Sequence, residues 1–499
     1  MIDLTLAEVA RIVGGELADI SAEDAETTRV RGTVEFDSRA VTPGGLFLAL
    51  PGARADGHDF AAGAVAAGAA AVLAARPVGV PAIVVKPLGA GTDSGAGVLE
   101  YDTDGSGAAV LRALALLAAA VAAELVEGGL VIVGVTGSSG KTSTKDLLAA
   151  VLEPLGSVIA PPGSFNNELG HPWTVLRATT DTDYLILEMS ARHPGNIAAL
   201  ARIAPPSIAV VLNVGTAHLG EFGSREAIAA TKAELPQAVS SSGVVILNAD
   251  DNAVAAMADV TAARVVRVAR HSGADVWAEN VVLDDLARPR FTMHAAAGAA
   301  PIELAVHGDH QVSNALCAAA VALECGASLD QVAAALASAG PVSRHRMQVG
   351  TRADGVTVIN DAYNANPDSM RAGLKALAWM AQSAAVEGAG KRRSWAVLGE
   401  MAELGDDAIG EHDSIGRLAV RLDVSRLVVV GRGRSLSAMH HGAVMEGSWG
   451  SESTMVADAD TALALLRAEL RAGDVVLVKA SNSAGLGDLA DALVKDVPQ

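Results

Sequence analysis

Residues 130–156 read LVIVGVTGSSGKTSTKDLLAAVLEPLG, and the predicted fold class follows from this stretch. The β-branched run that ends at Thr136 predicts a buried strand, TGSSG predicts a turn, and the residues from Lys141 onward predict a helix. This order of elements aims backbone N–H groups and the positive end of the helix at an anion. The stretch therefore predicts a phosphate-binding loop within an α/β domain.

The side chains of this loop indicate which phosphate compound it binds. Lys141 supplies a positive charge, and the hydroxyl of Thr142, in the first turn of the predicted helix, is placed to reach a Mg²⁺ ion shared with a nucleotide. The match is to G-x-x-G-K-T only, because Val135 stands where the usual pattern has its first glycine. An ordinary glycine turn that caps a helix is the alternative. If the loop binds ATP, its nucleotide contacts are Gly137, Ser138, Ser139, Gly140, Lys141, Thr142 and Ser143.

The rest of the chain alternates short β-branched runs with helix-length segments, which favours a mainly parallel sheet. At 499 residues the chain is longer than one hydrophobic core usually supports. A Gly-, Asp- and Ser-rich stretch over 89–107 marks the end of a first unit, and the alternation starts again near Pro341. We predict three α/β domains, with boundaries at 1–106, 107–340 and 341–499.

Composition excludes several classes of function. The formal net charge of −20 argues against a non-specific nucleic-acid binder, because a phosphate backbone has to be met by a basic surface. The two cysteines, Cys317 and Cys325, exclude a disulfide framework and suit a reducing cytosol. The acidic N-terminus shows no export signal, and the apolar stretch from Ala108 is interrupted by Arg112 and Glu124, which favours a soluble helix over a membrane span. These features predict a cytoplasmic protein.

Polar residues after the loop are candidates for the chemistry. Glu188 ends the strand YLILEMS and His218 follows another strand, so both are predicted at the carboxyl ends of strands, where open α/β sheets bind ligands. Together with Thr142 they are candidates for one metal site, although each has an ordinary alternative as a surface or loop residue. Lys232 lies on a predicted helix and is by itself interpreted as a solvated lysine. The segment NDAYNANPDSM over 360–370 follows a strand and indicates a functional loop or a simple turn.

Together these motifs resemble the Mur ligases of peptidoglycan synthesis, which are ATP-dependent, amide-forming enzymes that extend the stem peptide on UDP-MurNAc. The resemblance covers nearly the whole chain and keeps the order of the motifs. It is carried by TGSSGKT, the strand-end Glu188, NVGTAHLGEFGS, TKAEL, NADD, GDHQVSNALCAAA and RHRMQV. The resemblance implies a central ATP-binding domain with a parallel sheet, flanked by an N-terminal α/β domain that binds the UDP moiety and a C-terminal Rossmann-like domain.

Within the family, FDSRAVTPGGLFLALPGARADGHDF, SFNNELGHP and above all DAYNANPDSM look like the member that adds D-alanyl-D-alanine to UDP-MurNAc-tripeptide. The DNPR motif of members that use diaminopimelate does not occur in the sequence. The resemblance implies that the peptide carboxylate takes the γ-phosphate of ATP to form an acyl phosphate, which the amine of D-alanyl-D-alanine then attacks. The alternatives are a Mur-type ligase that adds another amino acid, a folate-type polyglutamate ligase and a non-catalytic, nucleotide-gated binding protein.

The resemblance also implies roles for individual residues. Its catalytic residues are Lys141, Lys232, His218 and Glu188. Its ligands for Mg²⁺ are Thr142, Glu188, His218 and, once carbamylated, Lys232. The positions that contact the base, phosphate and ribose of the nucleotide are, respectively, Asn314, Arg346 and Asp361. The implied substrate contacts are Ser38, Arg39, His58, Asn167, Tyr363 and Asn364.

Two segments depart from the family pattern. ELGAN in familiar relatives reads EMSAR at 188–192, and a KGSR-like segment reads KASN at 479–482, so an arginine is lost there. These departures concern contacts near the amino-acid site rather than the ATP chemistry. The resemblance implies UDP-MurNAc-tripeptide and D-alanyl-D-alanine as partners of a monomeric protein, with no nucleic acid and no membrane insertion.

Overall fold

The computed structural model of the chain describes residues 1–52, 55–89, 99–215, 219–383, 392–402, 404–447, 450 and 452–495. Within these residues the strands form three large sheets and one two-stranded ribbon. Each large sheet belongs to a different part of the chain and has its own helices, which agrees with the predicted three-domain α/β organisation. The domain boundaries themselves stay predictions.

The N-terminal part of the chain forms a small five-stranded sheet. Its elements are β1 (Leu4–Thr5), α1 (Leu6–Val13), β2 (Glu16–Ala18), α2 (Ala22–Thr27), β3 (Arg29–Val30), β4 (Val34–Glu35), β5 (Gly45–Leu48), α3 (Ala61–Ala66), β6 (Ala69–Ala74) and β7 (Ala82–Val84). The strand order is β2-β7-β6-β5-β4, in which only β2 is antiparallel to its neighbour, while β1 and β3 form the ribbon. Helix α1 begins at a capping box, because the side chains of Thr5 and Glu8 each accept a bond from the backbone N–H of the other.

The central part forms a nine-stranded sheet in the order β16-β15-β14-β13-β12-β11-β8-β10-β9. Its elements are α4 (Ser106–Glu127), β8 (Val131–Thr136), α5 (Lys141–Leu152), β9 (Val158–Ile159), α6 (Gly170–Val175), β10 (Tyr184–Glu188), α7 (Asn196–Ile203), β11 (Ile208–Val211), α8 (Leu219–Phe222), α9 (Arg225–Ala238), β12 (Val244–Asn248), α10 (Asn252–Ala255), β13 (Arg264–Ala269), β14 (Val276–Leu283), β15 (Pro289–Ala295), β16 (Gly298–Glu303), α11 (Gln311–Glu324) and α12 (Leu329–Ser338). Strands β8 to β14 pair in parallel, as the alternating runs predict, whereas β14, β15 and β16 form antiparallel hairpins that the sequence analysis did not anticipate.

The sheet register brings three strand ends together. Strand β8 lies between β10 and β11, with Glu188 opposite Val135 and Val211 opposite Thr136. Because these strands are parallel, their carboxyl ends meet at one edge of the sheet, and the loops that follow them lie side by side. The phosphate loop therefore lies between the end of β10 and the residues that follow β11.

The C-terminal part forms a six-stranded sheet in the order β17-β18-β22-β19-β20-β21, with β17 antiparallel and the other strands parallel. Its elements are β17 (Gln348–Thr351), β18 (Thr357–Asn360), α13 (Pro367–Ser383), β19 (Ser394–Leu398), α14 (Ala408–Arg421), β20 (Arg426–Val430), α15 (Arg434–Glu446), β21 (Ser453–Val456), α16 (Ala459–Glu469), β22 (Val475–Lys479) and α17 (Leu486–Lys495). The four parallel runs predicted from VTVIND, SWAVLGEM, RLVVVGRG and DVVLVKAS correspond to β18, β19, β20 and β22.

Helix α4 joins the N-terminal and central cores. It contacts α1 and β6 on the N-terminal side and α6 and α7 on the central side, and its apolar residues belong to one core cluster with those elements. Of the helices in the described residues, α4 is the one long and apolar enough to cross a membrane, yet 56% of its most apolar window is buried inside the protein. A buried apolar helix of this kind is typical of a protein core.

Helices α14 and α15 pack so closely that glycines are needed where they meet. A Cβ atom at Gly416 would collide with the carbonyl oxygen of Met439, and one at Gly442 would collide with the carbonyl oxygen of Asp413. The missing side chains let the backbones of the two helices approach each other directly.

Replacing Gly416 by alanine is expected to destabilise the C-terminal domain, although alanine normally stabilises a helix relative to glycine. Overpacking of this kind costs about 1–3 kcal/mol, so calorimetry should show a lower unfolding midpoint than in the wild type. Gly410 in the same helix is the control, because nothing lies within 4 Å of a Cβ built there. Gly410→Ala should leave the midpoint unchanged or raise it. An equal loss in both variants would contradict the packing explanation.

Candidate active site

The phosphate loop has the strand, turn and helix predicted from its sequence. Strand β8 ends at Thr136, Gly140 adopts a left-handed φ of 85°, and α5 begins at Lys141. The Nζ of Lys141 folds back and donates to the carbonyl oxygen of Gly137 at 2.8 Å. Helix α5 begins without a side-chain cap, so the N–H groups of its first turn and its positive end are available to an anion.

Asn213, which the sequence analysis did not single out, braces this loop. Its Oδ1 accepts from the N–H groups of Ser138 at 3.0 Å and Ser139 at 2.9 Å, and its Nδ2 donates to the carbonyl oxygen of Ser139 at 3.1 Å. The two N–H groups are already engaged, which leaves the first turn of α5 as the part of the loop that receives an anion. Asn213 opens the motif NVGTAHLGEFGS two residues after the end of β11, and a polar residue so close to a strand end is the signal that could have indicated its role.

Glu188 and Thr142 lie together beside the loop, as predicted for a metal site. Glu188 is fully buried, and its Oε2 accepts from Thr142 Oγ1 at 3.4 Å and from Asn166 Nδ2 at 3.3 Å. The other oxygen, Oε1, is buried with no hydrogen-bond donor among the described residues. An unsatisfied buried oxygen costs free energy, and Mg²⁺ prefers carboxylate and hydroxyl oxygens as ligands. The two residues therefore fit a magnesium ion.

Burial and a group of cations set the charge at this position. Burial raises the pKa of Glu188, whereas the positive charges of Lys141, Lys145 and Arg346 act in the opposite direction. Burial also lowers the pKa of Lys141. A carboxylate that has lost its water is stabilised in the ionised form by nearby positive charge. These cations therefore oppose the effect of burial and favour the carboxylate, as a Mg²⁺ ion would if it were bound.

Lys232 is buried on α9 and is not the solvated lysine that sequence physics alone suggested. The residue is 9% exposed, and no hydrogen bond or ion pair joins its side-chain amine to another described residue. Burial and the charge of Lys141 lower the pKa of Lys232 to about 7. A lysine with such a pKa is partly neutral at physiological pH. His218, the remaining predicted metal ligand, lies outside the described residues.

Two cavities, of about 670 Å³ and about 650 Å³, meet at the phosphate loop, and Ser139, Gly140 and Arg346 line both. The predicted peptide-side residues and the phosphate-binding side chains line the first cavity, including Lys141, Thr142, Asn167, Arg192, Tyr363, Asn364 and Asn482. The predicted base and ribose contacts line the second cavity, which includes Asn213, Asn248, Asn314, Asp361 and Lys479. Each cavity has the size of a ligand site. The loop thus separates a candidate nucleoside site from a candidate acceptor site.

The C-terminal domain contacts the phosphate loop directly. Arg346 places its guanidinium 4.3 Å from the ring centroid of Tyr363 and its Nη2 3.4 Å from Thr142 Oγ1. The Nε of Arg346 is buried with no acceptor in the described part of the chain, as expected of a cation that binds an anionic ligand. Asn366 Nδ2 donates to the carbonyl oxygen of Ser138 at 3.4 Å. These contacts close both cavities on the C-terminal side.

Protein groups hold both carboxylate oxygens of Asp361. Oδ1 accepts from the N–H of Met347 at 3.1 Å, and Oδ2 accepts from Nζ of the buried Lys479 at 2.6 Å. Lys479 also donates to the carbonyl oxygen of Asn364 at 2.9 Å. The carboxylate predicted to contact the ribose thus supports its own loop as well, and a ribose contact would share oxygens that are already bonded.

The three residues predicted to contact the UDP moiety line neither cavity. The ring of His58 is buried, with Nδ1 2.6 Å from Asp56 Oδ1, and its Nε2 accepts from the N–H of Ala75 at 3.1 Å. Both ring nitrogens therefore stabilise the N-terminal domain. Arg39 is exposed to solvent, and a UDP site at Ser38, Arg39 and His58 stays a prediction.

The two segments that depart from the family pattern both border the first cavity. Ser190 of EMSAR donates to the carbonyl oxygen of Asn166 at 3.0 Å, and Ser481 of KASN accepts from the N–H of Ala402 at 3.0 Å. Arg192 and Asn482 line the cavity itself. Arg192 therefore brings positive charge to a cavity where the arginine expected at Asn482 is absent from the sequence.

The site combines a phosphate loop, a buried carboxylate next to a hydroxyl, and a second domain that contacts the loop. Together the fold and the site define an ATP-dependent enzyme of the P-loop class, with adjoining cavities on either side of the loop. Three family models match consecutive parts of the chain: Mur ligase family, catalytic domain, at 32–94; Mur ligase middle domain, at 135–322; and Mur ligase, glutamate ligase domain, at 345–482.

Individual relatives agree with these matches. The UDP-N-acetylmuramoyl-tripeptide–D-alanyl-D-alanine ligase of Mycobacterium tuberculosis is 76% identical over 99% of this chain and 98% of its own length, and that of Escherichia coli is 34% identical over 99% of both. MurF from Acinetobacter baumannii has a TM-score of 0.81 at 28% identity, with 99% of both chains covered. MurF ligase from Thermotoga maritima, in complex with ADP, has a TM-score of 0.74 at 27% identity, with 93% and 97% covered. The chain belongs to the Mur ligase family, and the predicted ATP-dependent, amide-bond-forming ligase is confirmed.

Replacing Asn213 by alanine is expected to weaken nucleotide binding, because three hydrogen bonds that brace the phosphate loop are lost. Calorimetric titration with ADP should show an affinity about tenfold lower. Asn213→Asp keeps the acceptor but loses the donor and adds negative charge near the phosphates, so it should bind ADP no better than the alanine variant. Asn252, exposed at the start of α10, is the matched control and should tolerate alanine. Unchanged ADP affinity in Asn213→Ala would show that the brace is dispensable.

Proposed function

We propose that this ligase joins D-alanyl-D-alanine to UDP-N-acetylmuramoyl-tripeptide, using ATP. The observation that supports this substrate pair best is the position of the loop DAYNANPDSM. Asp361 of this loop lines the second cavity, whereas Tyr363 and Asn364 line the first. The segment whose sequence looks most like the D-alanyl-D-alanine-adding members therefore lies between the candidate nucleoside and acceptor sites. The 76% identity with the Mycobacterium tuberculosis ligase, over 99% of this chain, supports the same reaction.

In the proposed reaction a carboxylate oxygen of the tripeptide attacks the γ-phosphorus of ATP, and ADP leaves. The amine of D-alanyl-D-alanine then attacks the carbonyl carbon of the acyl phosphate, inorganic phosphate leaves, and the nitrogen loses a proton. Carboxylate and phosphate repel each other, so the site has to supply positive charge. Lys141, Arg346 and the first turn of α5 supply it from this chain.

Thr142 and Glu188 are the described residues that would hold Mg²⁺, which neutralises phosphate charge when bound. Asn166 orients the carboxylate of Glu188 through its 3.3 Å hydrogen bond. A carbamylated Lys232 would add a second anionic group near Lys141. The contacts of Arg346 and Asn366 with the loop would limit the access of water to the acyl phosphate.

The proposed reaction assigns the protein to the cytoplasm, where a UDP-linked precursor and ATP occur together. A monomer is the proposed working unit. The net charge of −20 supports the absence of a nucleic-acid partner. The burial of more than half of α4 supports a protein that does not insert into a membrane.

The substrate proposal predicts phosphate release only when acceptor and amine are both present. The protein with ATP and Mg²⁺ should be tested with UDP-MurNAc-tripeptide while the amine is varied across D-alanyl-D-alanine, diaminopimelate, lysine and glutamate. The rate should be highest with D-alanyl-D-alanine, and Lys141→Ala should lower it by roughly 10²–10³-fold, as for loss of a transition-state contact.

Each of the other possible results would assign a different function to this protein. A higher rate with another amine would assign another Mur-type ligase, and turnover with a folate acceptor but none with the UDP-linked peptide would assign a polyglutamate ligase. If the protein bound ADP but released no phosphate with any combination of acceptor and amine, it would be assigned as a non-catalytic, nucleotide-gated binding protein.

Lys232 is expected to act as a carbamate. Its neutral amine, which forms as the pH rises through about 7, is the species that attacks CO₂, so carbamylation should decrease as the pH falls below 7. Lys232→Ala and Lys232→Arg should each lower ligation about 100-fold, and acetate should restore part of the rate to the alanine variant only. Carbon-13 NMR with labelled bicarbonate should detect the carbamate in the wild type. Full activity of Lys232→Arg would rule this role out.

A further inference from the structure

The segment that connects the central and C-terminal domains is attached to the phosphate-loop helix. Ser343, which is 3% exposed, donates from its N–H to Asp146 Oδ2 and from its hydroxyl to Asp146 Oδ1, both at 3.1 Å. The same hydroxyl accepts from Lys145 Nζ at 3.2 Å. We call Lys145, Asp146 and Ser343 the clasp. It ties this connecting segment to α5, the helix whose first turn receives the phosphates.

The clasp is rigid on its central side. Lys145 and Asp146 form an ion pair of 2.6 Å, with side chains 3% and 10% exposed, and Lys145 also donates to the carbonyl oxygen of Pro161 at 2.8 Å. Buried ion pairs with further hydrogen bonds hold one geometry, because breaking them leaves an uncompensated charge. Ser343 therefore follows α5, and α5 carries Thr142 on its first turn.

The chain passes from one domain to the other within a single residue. Ser343 is held by α5, whereas His345 belongs to the C-terminal domain. The N–H of His345 donates to Gln348 Oε1 at 2.8 Å, and its carbonyl oxygen accepts from the N–H of Tyr363 at 3.2 Å. Arg344 lies between these two attachments. If the C-terminal domain rotated relative to the nine-stranded central sheet, the backbone would therefore have to turn at 343–345.

The backbone after this point directs Arg346 back to the loop. His345 and Met347, on either side of Arg346, have left-handed φ values of 57° and 48°. Residues other than glycine rarely adopt this backbone conformation. Such strain persists where the surroundings over-determine it, and Asp361 accepts from the N–H of Met347 here. The result is that the Arg346 guanidinium reaches Thr142 Oγ1 at 3.4 Å.

We infer that the clasp is a positioning element, in which Ser343 sets the place of Arg346 at the nucleotide phosphates. Among the described residues, Arg346 is anchored to α5 by one long hydrogen bond of its own, and the clasp fixes the backbone three residues before it. Without the Ser343 hydroxyl the linker turns more freely, and Arg346 meets the phosphates less often. The inference rests on the proposed function for the ligation step, but nucleotide binding tests it separately.

Ser343→Ala removes the two side-chain hydrogen bonds of the clasp and leaves the Lys145–Asp146 pair in place. If the clasp acts through Arg346, calorimetric titration of the full chain with ADP should show about tenfold weaker binding. Arg346→Ala should weaken binding at least as much. Adding Ser343→Ala to Arg346→Ala should then cause no further loss. The KM for ATP in the phosphate-release assay should show the same non-additivity.

Two variants serve as controls. Ser338→Ala removes a hydroxyl that bonds only within α12, and it should bind ADP like the wild type in both backgrounds. Ser343→Thr keeps the hydroxyl and should restore binding relative to Ser343→Ala, while thermal unfolding verifies that each variant is folded. Wild-type ADP affinity in Ser343→Ala, or losses that add fully to those of Arg346→Ala, would overturn the inference. Failure of the proposed function would give a different result. The wild type would then release no phosphate, while the ADP affinities of the single and double variants would still show the expected non-additivity.

Discussion

The carboxylate of Glu188 is buried beside a loop that has to receive a polyphosphate, and the rest of the site is arranged around this concentration of negative charge. In a medium of low dielectric constant, like charges at short distance repel strongly. The protein places Lys141, Lys145 and Arg346 close enough to lower the cost of ionising Glu188. Glu188 Oε1, which has no hydrogen-bond donor among the described residues, and the hydroxyl of Thr142 provide for a further cation. The negative charges of Glu188 and of the polyphosphate are therefore balanced by a bound cation together with the basic side chains.

This balance depends on two domains, because the cations come from both. Lys141 and Lys145 lie on α5 of the central domain, whereas Arg346 belongs to the segment that leads into the C-terminal sheet. The loop itself is kept in shape within the central domain by Asn213. A braced loop and an arginine supplied by a second domain are a suitable combination for an enzyme that has to admit two substrates and then exclude water.

Much of the architecture could be predicted from local patterns. The β-branched runs of the two parallel sheets correspond to strands, and Lys141, Thr142 and Glu188 lie together as expected. The hairpins β14 to β16 were missed, because their segments lack the helix alternation that marks a parallel strand. Asn213 was missed although its motif was recognised, because an asparagine after a strand has many possible roles. The structural contacts of His58 could not be predicted from its motif, since one ring nitrogen accepts from the backbone N–H of Ala75, which lies outside that motif.

The sequence by itself determined the phosphate loop, the alternation of parallel strands with helices, and the chemical types available to the site, because these depend on residues that are close together along the chain. Only the tertiary structure decided the burial of Lys232 and its lowered pKa, the contact of Arg346 with Thr142, and the clasp. Lys145 and Ser343 are 198 positions apart, and their hydrogen bond exists only because the linker returns to α5. Burial, electrostatic environment and contacts between domains are properties of neighbours in space, and no local pattern specifies them.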